Sequence, residues 1–237
     1  NILERVIAVF ILSILSTAIL VFIYGGSASA FLGLFLGVWL ILGTIYEFLI
    51  KVGLKLSFNT FLKRSLQLPR SAYGMSLAHI GVAIFVMGVT VSSAWKIEIE
   101  QPIIKGEKVV INSIELKFLN INNVEGPNWI AERGEFEVVR LGKKKEFLYP
   151  ERRFYPASKI NTSEPAIMSN AFFDLYIVLG ESLNNDESYS LRVYYSPFIN
   201  WIWFGIMCMV LGGLLSVSDR KHRLGYSMKL NPETSNK

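Results

Sequence analysis

Residues 6–46, VIAVFILSILSTAILVFIYGGSASAFLGLFLGVWLILGTIY, run for 41 positions without an Asp, Glu, Lys or Arg. A helix crosses the hydrocarbon core of a bilayer in about 20 residues, so the stretch is too long for one span. Gly25-Gly26-Ser27 divides it, which predicts two spans near 6–24 and 27–50. The first is too long for the apolar core of a cleavable signal peptide, and a second span follows at once. Two more uncharged runs extend over Ser71–Trp95 and Phe198–Ser218. The expected fold is a polytopic α-helical membrane protein with four transmembrane helices.

The composition agrees. Of 237 residues, 51% are hydrophobic and 18% charged, where a soluble domain carries roughly a quarter charged. A soluble enzyme and a disordered chain are both excluded on this ground. The net charge of +5 has structure within it. Of 24 Lys+Arg and 19 Asp+Glu, 13 and 15 lie in residues 96–192, which leaves 11 basic and 4 acidic residues elsewhere. Those 11 (Arg5, Lys51, Lys55, Lys63, Arg64, Arg70, Arg220, Lys221, Arg223, Lys229 and Lys237) fall at the N-terminus, between spans two and three, and in the tail. Four spans put all three places on one side of the membrane, and the excess of basic residues makes that side cytoplasmic. The positive charge is a topology signal and no nucleic-acid footprint. Both termini are expected in the cytoplasm and residues 96–195 outside it.

Residues 51–70 form a basic cytoplasmic loop. Leu54, Phe58, Phe61, Leu62 and Leu66 recur in it at helical spacing, among Lys55, Lys63 and Arg64. An amphipathic helix in the headgroup layer and a solvated basic loop both suit this pattern.

Residues 96–195 change character. Alternation in 96–100, 109–118, 135–139 and 173–179, punctuated by Gly, Pro and Asn, predicts an inserted extracytoplasmic all-β domain of about 100 residues between helices three and four. It contains no His and no Cys, so it offers neither soft metal ligands nor imidazole acid–base chemistry. Arg152 and Arg153, within Pro150–Pro156, suit a carboxylate or propionate partner, or a solvated turn with a local Glu–Arg pair. Lys143-Lys144-Lys145 reads as a hairpin tip. Trp95, Trp201, Trp203, Tyr194 and Tyr195 read as an aromatic belt at the outer boundary, or as a stacking platform for a delivered haem. Cys208, the one cysteine, falls inside span four as a packing residue.

Span three, 71–95, carries His79 within Met75–Ala83. An ionisable side chain some two turns inside a span is a functional candidate by default, and neutral imidazole is a standard axial ligand of haem iron. Ser76 and Ala83 project near the same side as His79, while Gly74, Ala78, Gly81 and Gly88 thin the helix. Small residues admit a porphyrin plane or another helix's backbone alike. His79 therefore has two readings, an inter-helix hydrogen bond and a metal ligand. His222, in the basic tail, is expected at the headgroups. Glu47 stands four residues before Lys51, as an interfacial ion pair. Gly205, Gly212 and Gly213 point to close helix contact in span four, 196–218.

Three stretches resemble the C-terminal part of CcmF, of the CcmF/CycK/NrfE family of cytochrome c-type biogenesis proteins, the membrane component of the System I haem lyase. They are Leu68–Ala83; Pro150–Tyr155 with Asp174–Gly180; and Leu191–Pro197 running through Trp201-Ile202-Trp203, Gly212-Gly213 and Asp219-Arg220-Lys221. Their order and placement around an outside β-domain match too, so the resemblance covers nearly the whole chain. It implies cytochrome c maturation: taking haem from the haem chaperone CcmE and supporting its covalent attachment to apocytochrome c, with CcmH-type thiol-handling partners. It also implies a membrane haem b held by two histidines, of which His79 matches the second, so that the other axial ligand lies outside this chain. The implied location is the bacterial inner membrane, or the mitochondrial inner membrane for an organellar chain.

Several family features are missing here: the tryptophan-rich haem-presenting loop, the two outside histidines and the first membrane histidine. With Asn1 as first residue, the expectation is a split-gene subunit or a fragment that acts with the N-terminal part of CcmF and is inactive alone. Pro165, in Ser163–Ile167, departs from the family pattern. Two rival readings are a non-catalytic assembly scaffold and a haem transporter fragment. A transporter would show internal repeats or broken helices with polar midplane residues, and neither is clear.

Overall fold

The computed structural model describes residues 2–53, 58–140, 145–183 and 188–219. They form two compact units, one of helices and one, residues 95–200, of strands.

The helices are α1 (Ile2–Tyr24), α2 (Ala28–Val52), α3 (Phe58–Leu66), α4 (Arg70–Ala94) and α5 (Ile199–Val217). Among the described residues, all but α3 are long and apolar enough to cross a membrane. Gly25, at φ +70°, makes the turn out of α1, a conformation an L side chain resists. Ser27 then caps α2 by accepting from the Ala30 N–H at 3.3 Å, satisfying one of the donors a helix start leaves free. Phe22, Trp203, Phe204, Met207 and Leu214 face outward without partners. This suits lipid as the surrounding medium, where exposure of large apolar groups carries no penalty.

Helices α4 and α5 run antiparallel along a seam of small residues. A Cβ added to Gly81 would lie 2.7 Å from the Gly205 carbonyl oxygen and the Met209 nitrogen; one on Gly212 would lie 2.6 Å from the Ala78 nitrogen and the Gly74 oxygen. Gly88 meets Ile202 and Gly74 meets Ser216. Glycines at 74, 81 and 88 thus face glycines at 205 and 212, each set at seven-residue spacing. Such close backbone approach is how helices associate where lipid tails are as apolar as leucine. Asp219, just beyond α5, closes the seam by accepting from the Ser71 N–H at 3.1 Å, placing a carboxylate at the N-terminus of α4. On another face, α4 packs against α2, where Thr90 and Met87 fill the space over Gly33 and Gly37.

The second unit is a β-sandwich. One sheet has the order β1-β10-β9-β8, with β1 (Ile97–Ile104), β8 (Ala166–Ser169), β9 (Phe173–Leu183) and β10 (Ser188–Pro197). The other has the order β2-β3-β4-β6-β7, with β2 (Lys108–Ile111), β3 (Ile114–Glu125), β4 (Ile130–Arg140), β6 (Glu151–Tyr155) and β7 (Ile160–Glu164); β5 (Glu146–Leu148) pairs with β4. Alternation decides the core. In β9, Phe173, Leu175, Ile177 and Leu179 are buried and the residues between them are not, as a two-residue side-chain period requires. They meet Leu116, Phe118, Phe136 and Val138 of the opposite sheet. Pro165 stands between β7 and β8, where the chain leaves one sheet for the other. No ladder hydrogen bond is needed at that point, so a residue without an N–H fits.

Candidate functional site

One side of α2 and one residue of α4 line a groove of the helical unit. Trp39, Gly43 and Glu47 follow each other at four-residue spacing on α2, flanked by Leu40, Thr44, Tyr46 and Ile50; Val6 and Val9 of α1 close one wall, and His79 of α4 stands at the other. The groove holds about 680 Å³, within the ~300–1,000 Å³ range of small-molecule and cofactor sites. Phe10 and Phe35 support the Trp39 ring at centroid distances of 5.7 and 5.9 Å. Thr44 keeps its hydroxyl out of the groove by donating to the Leu40 carbonyl at 2.7 Å. A Cβ on Gly43 would meet nothing within 4 Å. The groove is thus open at a position where almost any other residue would enter it.

His79 is oriented by its own helix. Its Nδ1 lies 2.8 Å from the Met75 carbonyl oxygen. A carbonyl only accepts, so Nδ1 carries a proton, and in the neutral imidazole the lone pair is then on Nε2. This is the arrangement in which metal-ligating histidines are oriented, the second nitrogen being tied to a backbone carbonyl. The side chain is exposed and lines the groove. Among the described residues no three or more His, Cys, Asp or Glu side chains come together, and the groove offers the His79 imidazole together with the Glu47 carboxylate, which is paired with Lys51, on otherwise mostly apolar walls. A single imidazole beside an apolar cavity would suit a haem, whose macrocycle brings its own equatorial nitrogens.

The remaining residues singled out in the sequence fall elsewhere. Gly74, Ala78, Gly81 and Gly88 serve the α4–α5 seam and leave no room for a flat ligand. Ala83 is buried beside Gly37 of α2. Gly205 and Gly212 make the close contacts expected of them, while Gly213 meets nothing within 4 Å. Cys208 is buried against Gly81. Glu47 pairs with Lys51 at 2.8 Å and also lines the groove. Tyr194 and Tyr195 are strand residues: Tyr195 stacks on Phe173 at 5.0 Å and Tyr194 packs on Tyr176 at 5.9 Å, so within the sandwich their rings have partners. His222, Lys143, Lys144 and Leu54 lie outside the described residues.

The Arg152–Arg153 stretch is a strand and no turn, because it pairs with both β4 and β7. Its charges are internally matched. Buried Glu151 accepts from Arg133 Nε at 2.6 Å and from Arg153 Nε at 2.8 Å, and the Arg153 guanidinium lies 4.4 Å from the Trp129 ring centroid. Arg152 reaches Glu132 at 3.4 Å. Burial pushes the Glu151 carboxyl up, but the hydrogen bonds and charges of Arg153 and Arg133 outweigh it and hold the group below its ordinary range. A carboxyl depressed in the folded state stabilises the domain above its unfolded pKa, and that contribution disappears as pH falls through the folded value. The sandwich is therefore expected to lose stability on acidification below the ordinary carboxylate range, and Glu151→Gln to flatten that dependence at a loss of about 1.5–3 kcal/mol near neutrality. Hydrogen exchange of the β6 amides across pH measures both; equal pH slopes in the two proteins would refute the assignment.

Residues 94–197 match the family model described as the CcmF C-terminal beta-sandwich, and CcmF of Haemophilus influenzae is 36% identical over 225 residues, 94% of this chain and 34% of its own length. The chain is similar to the C-terminal part of CcmF-family proteins. CycK of Rhizobium meliloti is 34% identical over 94% of this chain and 33% of its own length; CcmF of Escherichia coli is 34% identical over 87% and 30%. All three are described as cytochrome c-type biogenesis proteins. A solved structure titled cytochrome c heme lyase CcmF superposes with a TM-score of 0.68 over 90% of this chain and 34% of its own, at 18% identity, a likeness of fold. The chain spans about a third of the length of the curated relatives it matches.

Apart from Glu47, which reads in the sequence as the partner of Lys51, the groove residues other than His79 have no separate signal there. The stripe Trp39, Gly43, Glu47 at four-residue spacing, with Tyr46 and Ile50 beside it, is the pattern that could have shown them: an aromatic, a gap and a carboxylate on one helix face.

Proposed function

We propose that this chain forms the C-terminal portion of a membrane haem lyase of cytochrome c maturation, and that His79 is an axial ligand of a haem b seated in the groove between α1, α2 and α4. The observation that carries the reading is the imidazole: its Nδ1 is tied to the Met75 carbonyl, and the side chain lines a cavity with a gap at Gly43. The second axial ligand comes from the N-terminal part of CcmF. Haem passes from the chaperone CcmE to apocytochrome c, with a CcmH-type subunit managing the thiols. The membrane is the bacterial inner membrane, with the termini cytoplasmic and the sandwich periplasmic; the excess of basic residues off the sandwich supports that orientation.

In this scheme a bound haem supplies one-electron transfer. The chain's own residues would hold and orient it: the Met75 carbonyl would fix the imidazole, Trp39, Val6 and Val9 would supply apolar wall, and Gly43 would leave the groove open. The test is co-expression of this chain with its N-terminal complement and a reporter apocytochrome c. Both a b-type reduced-minus-oxidised spectrum and covalent holocytochrome are expected, and both are lost when this chain is omitted. Holocytochrome formed equally well without the chain would overturn the reading. In the same cells, with Cys208→Ser, a cysteine at position 145 should label from the periplasm and one at position 63 only after permeabilisation; the reverse would invert the orientation.

A further inference from the structure

Helix α3 has no role in the haem site, since none of its residues lines the groove of His79, yet it presents an organised outer surface. We infer that α3 is an anchor for anionic phospholipid headgroups, lying in the bilayer interface between α2 and α4. The chain itself fixes the level: α3 occupies the connection between two apolar helices, one ending at Val52 and the other starting at Arg70. The Tyr73 hydroxyl, in the first turn of α4, donates to the Ser65 carbonyl of α3, and the Tyr73 ring packs on Phe48 of α2 at 5.6 Å. One tyrosine thus pins α3 where α2 ends and α4 begins.

The faces follow. Phe61 and Ser65 turn inward and are half-buried. Leu62 and Leu66, one turn apart, are 49% and 76% exposed. Lys63 stands on the stripe beside them and Arg64 beyond it; both are exposed and neither meets a carboxylate among the described residues. The described residues from 51 to 70 include four basic side chains, Lys51, Lys63, Arg64 and Arg70, and no acid. Exposed leucines next to unpaired cations at a membrane boundary make the arrangement of an interfacial helix, apolar groups entering the acyl boundary while cations meet anionic headgroups. Lipid is favoured over a protein partner by two features: the charge complementarity and the forced position in the interface.

The full chain, carrying Cys208→Ser and Leu66→Cys labelled with an environment-sensitive fluorophore, is reconstituted in nanodiscs of phosphatidylcholine alone or with about a third phosphatidylglycerol. The label is expected to shift to the blue and become accessible to quenchers on the lipid chains, severalfold more in the anionic discs. Lys63→Gln with Arg64→Gln should reduce the anionic result to the phosphatidylcholine level. These two positions are exposed, and an unchanged thermal midpoint confirms that the double variant is folded. A water-like label in both discs, or insertion independent of phosphatidylglycerol and of the two cations, overturns the proposal. So does burial of the label only when the N-terminal complement is co-reconstituted, which would assign the face to protein. Haem spectra do not enter the readout, so failure here and failure of the haem reading are separable.

Discussion

His79→Ala is expected to remove the b-type haem signal of the co-expressed complex while leaving the helical unit folded. Losing an outer partner of a ligating histidine already lowers affinity on the order of 10–100-fold, and losing the imidazole itself removes one of the two proposed axial bonds. The side chain is exposed and its one bond goes to its own helix, at the Met75 carbonyl, so packing has little to lose and the thermal midpoint should hold. Added imidazole should restore part of the spectrum if the cavity survives. Gly43→Phe tests the groove independently of the ligand. A Cβ there meets nothing within 4 Å, so a side chain can leave the helix into the groove; with an unchanged thermal midpoint, the haem signal should fall with His79 intact. An unchanged spectrum in His79→Ala would sink the ligand assignment. An unchanged spectrum in Gly43→Phe alone would keep the ligand and move the haem out of this groove.

The fold was open to reading because its strongest signals are local. Charge-free runs of span length and period-two alternation each report their own element, and the two differ in kind, so the membrane helices and the inserted β-domain could be separated. Sheet order could not be read: alternation says which face of β9 is buried, but not that β9 lies between β8 and β10. Nor does a glutamate–arginine run reveal that Glu151, Arg133 and Arg153 meet across two strands, since Arg133 comes from β4. In the helices, His79 stood out because an imidazole is rare in apolar sequence. The bond that orients it is made by a backbone carbonyl, which no residue type encodes. The small residues of α4 looked equally suited to a flat ligand and to a neighbouring helix. Their spacing held the answer: 74, 81 and 88 repeat every seven residues, as do 205 and 212, and such a repeat keeps one straight seam on a helix.

Gly212→Ala and Gly213→Ala, adjacent and identical in chemistry, are expected to behave oppositely. At 212 the new methyl would sit 2.6 Å from the Ala78 nitrogen and the Gly74 oxygen, both backbone atoms that cannot rotate aside. The helices must move apart, and overpacking of this kind is destabilising by about 1–3 kcal/mol. At 213 a methyl meets nothing within 4 Å, so the helix keeps its contacts and exchanges a glycine for a better helix former, a gain of up to about 1 kcal/mol. Gly81→Ala should resemble Gly212→Ala, because it opposes the Gly205 oxygen and the Met209 nitrogen. Combining 81 and 212, which act on one interface, should be non-additive. Thermal melting in detergent measures each variant, and equal midpoints for 212 and 213 would deny that the seam carries the contact. The consequence reaches the site. Gly81 lies two residues after His79, about 200° around α4 at 3.6 residues per turn, so one helix presents the seam to α5 and the imidazole to the groove. Shifting α4 to make room for a methyl against backbone atoms would move the His79 imidazole with it. Gly212→Ala should therefore also weaken the haem spectrum, although no seam glycine touches the groove, and Gly213→Ala should not.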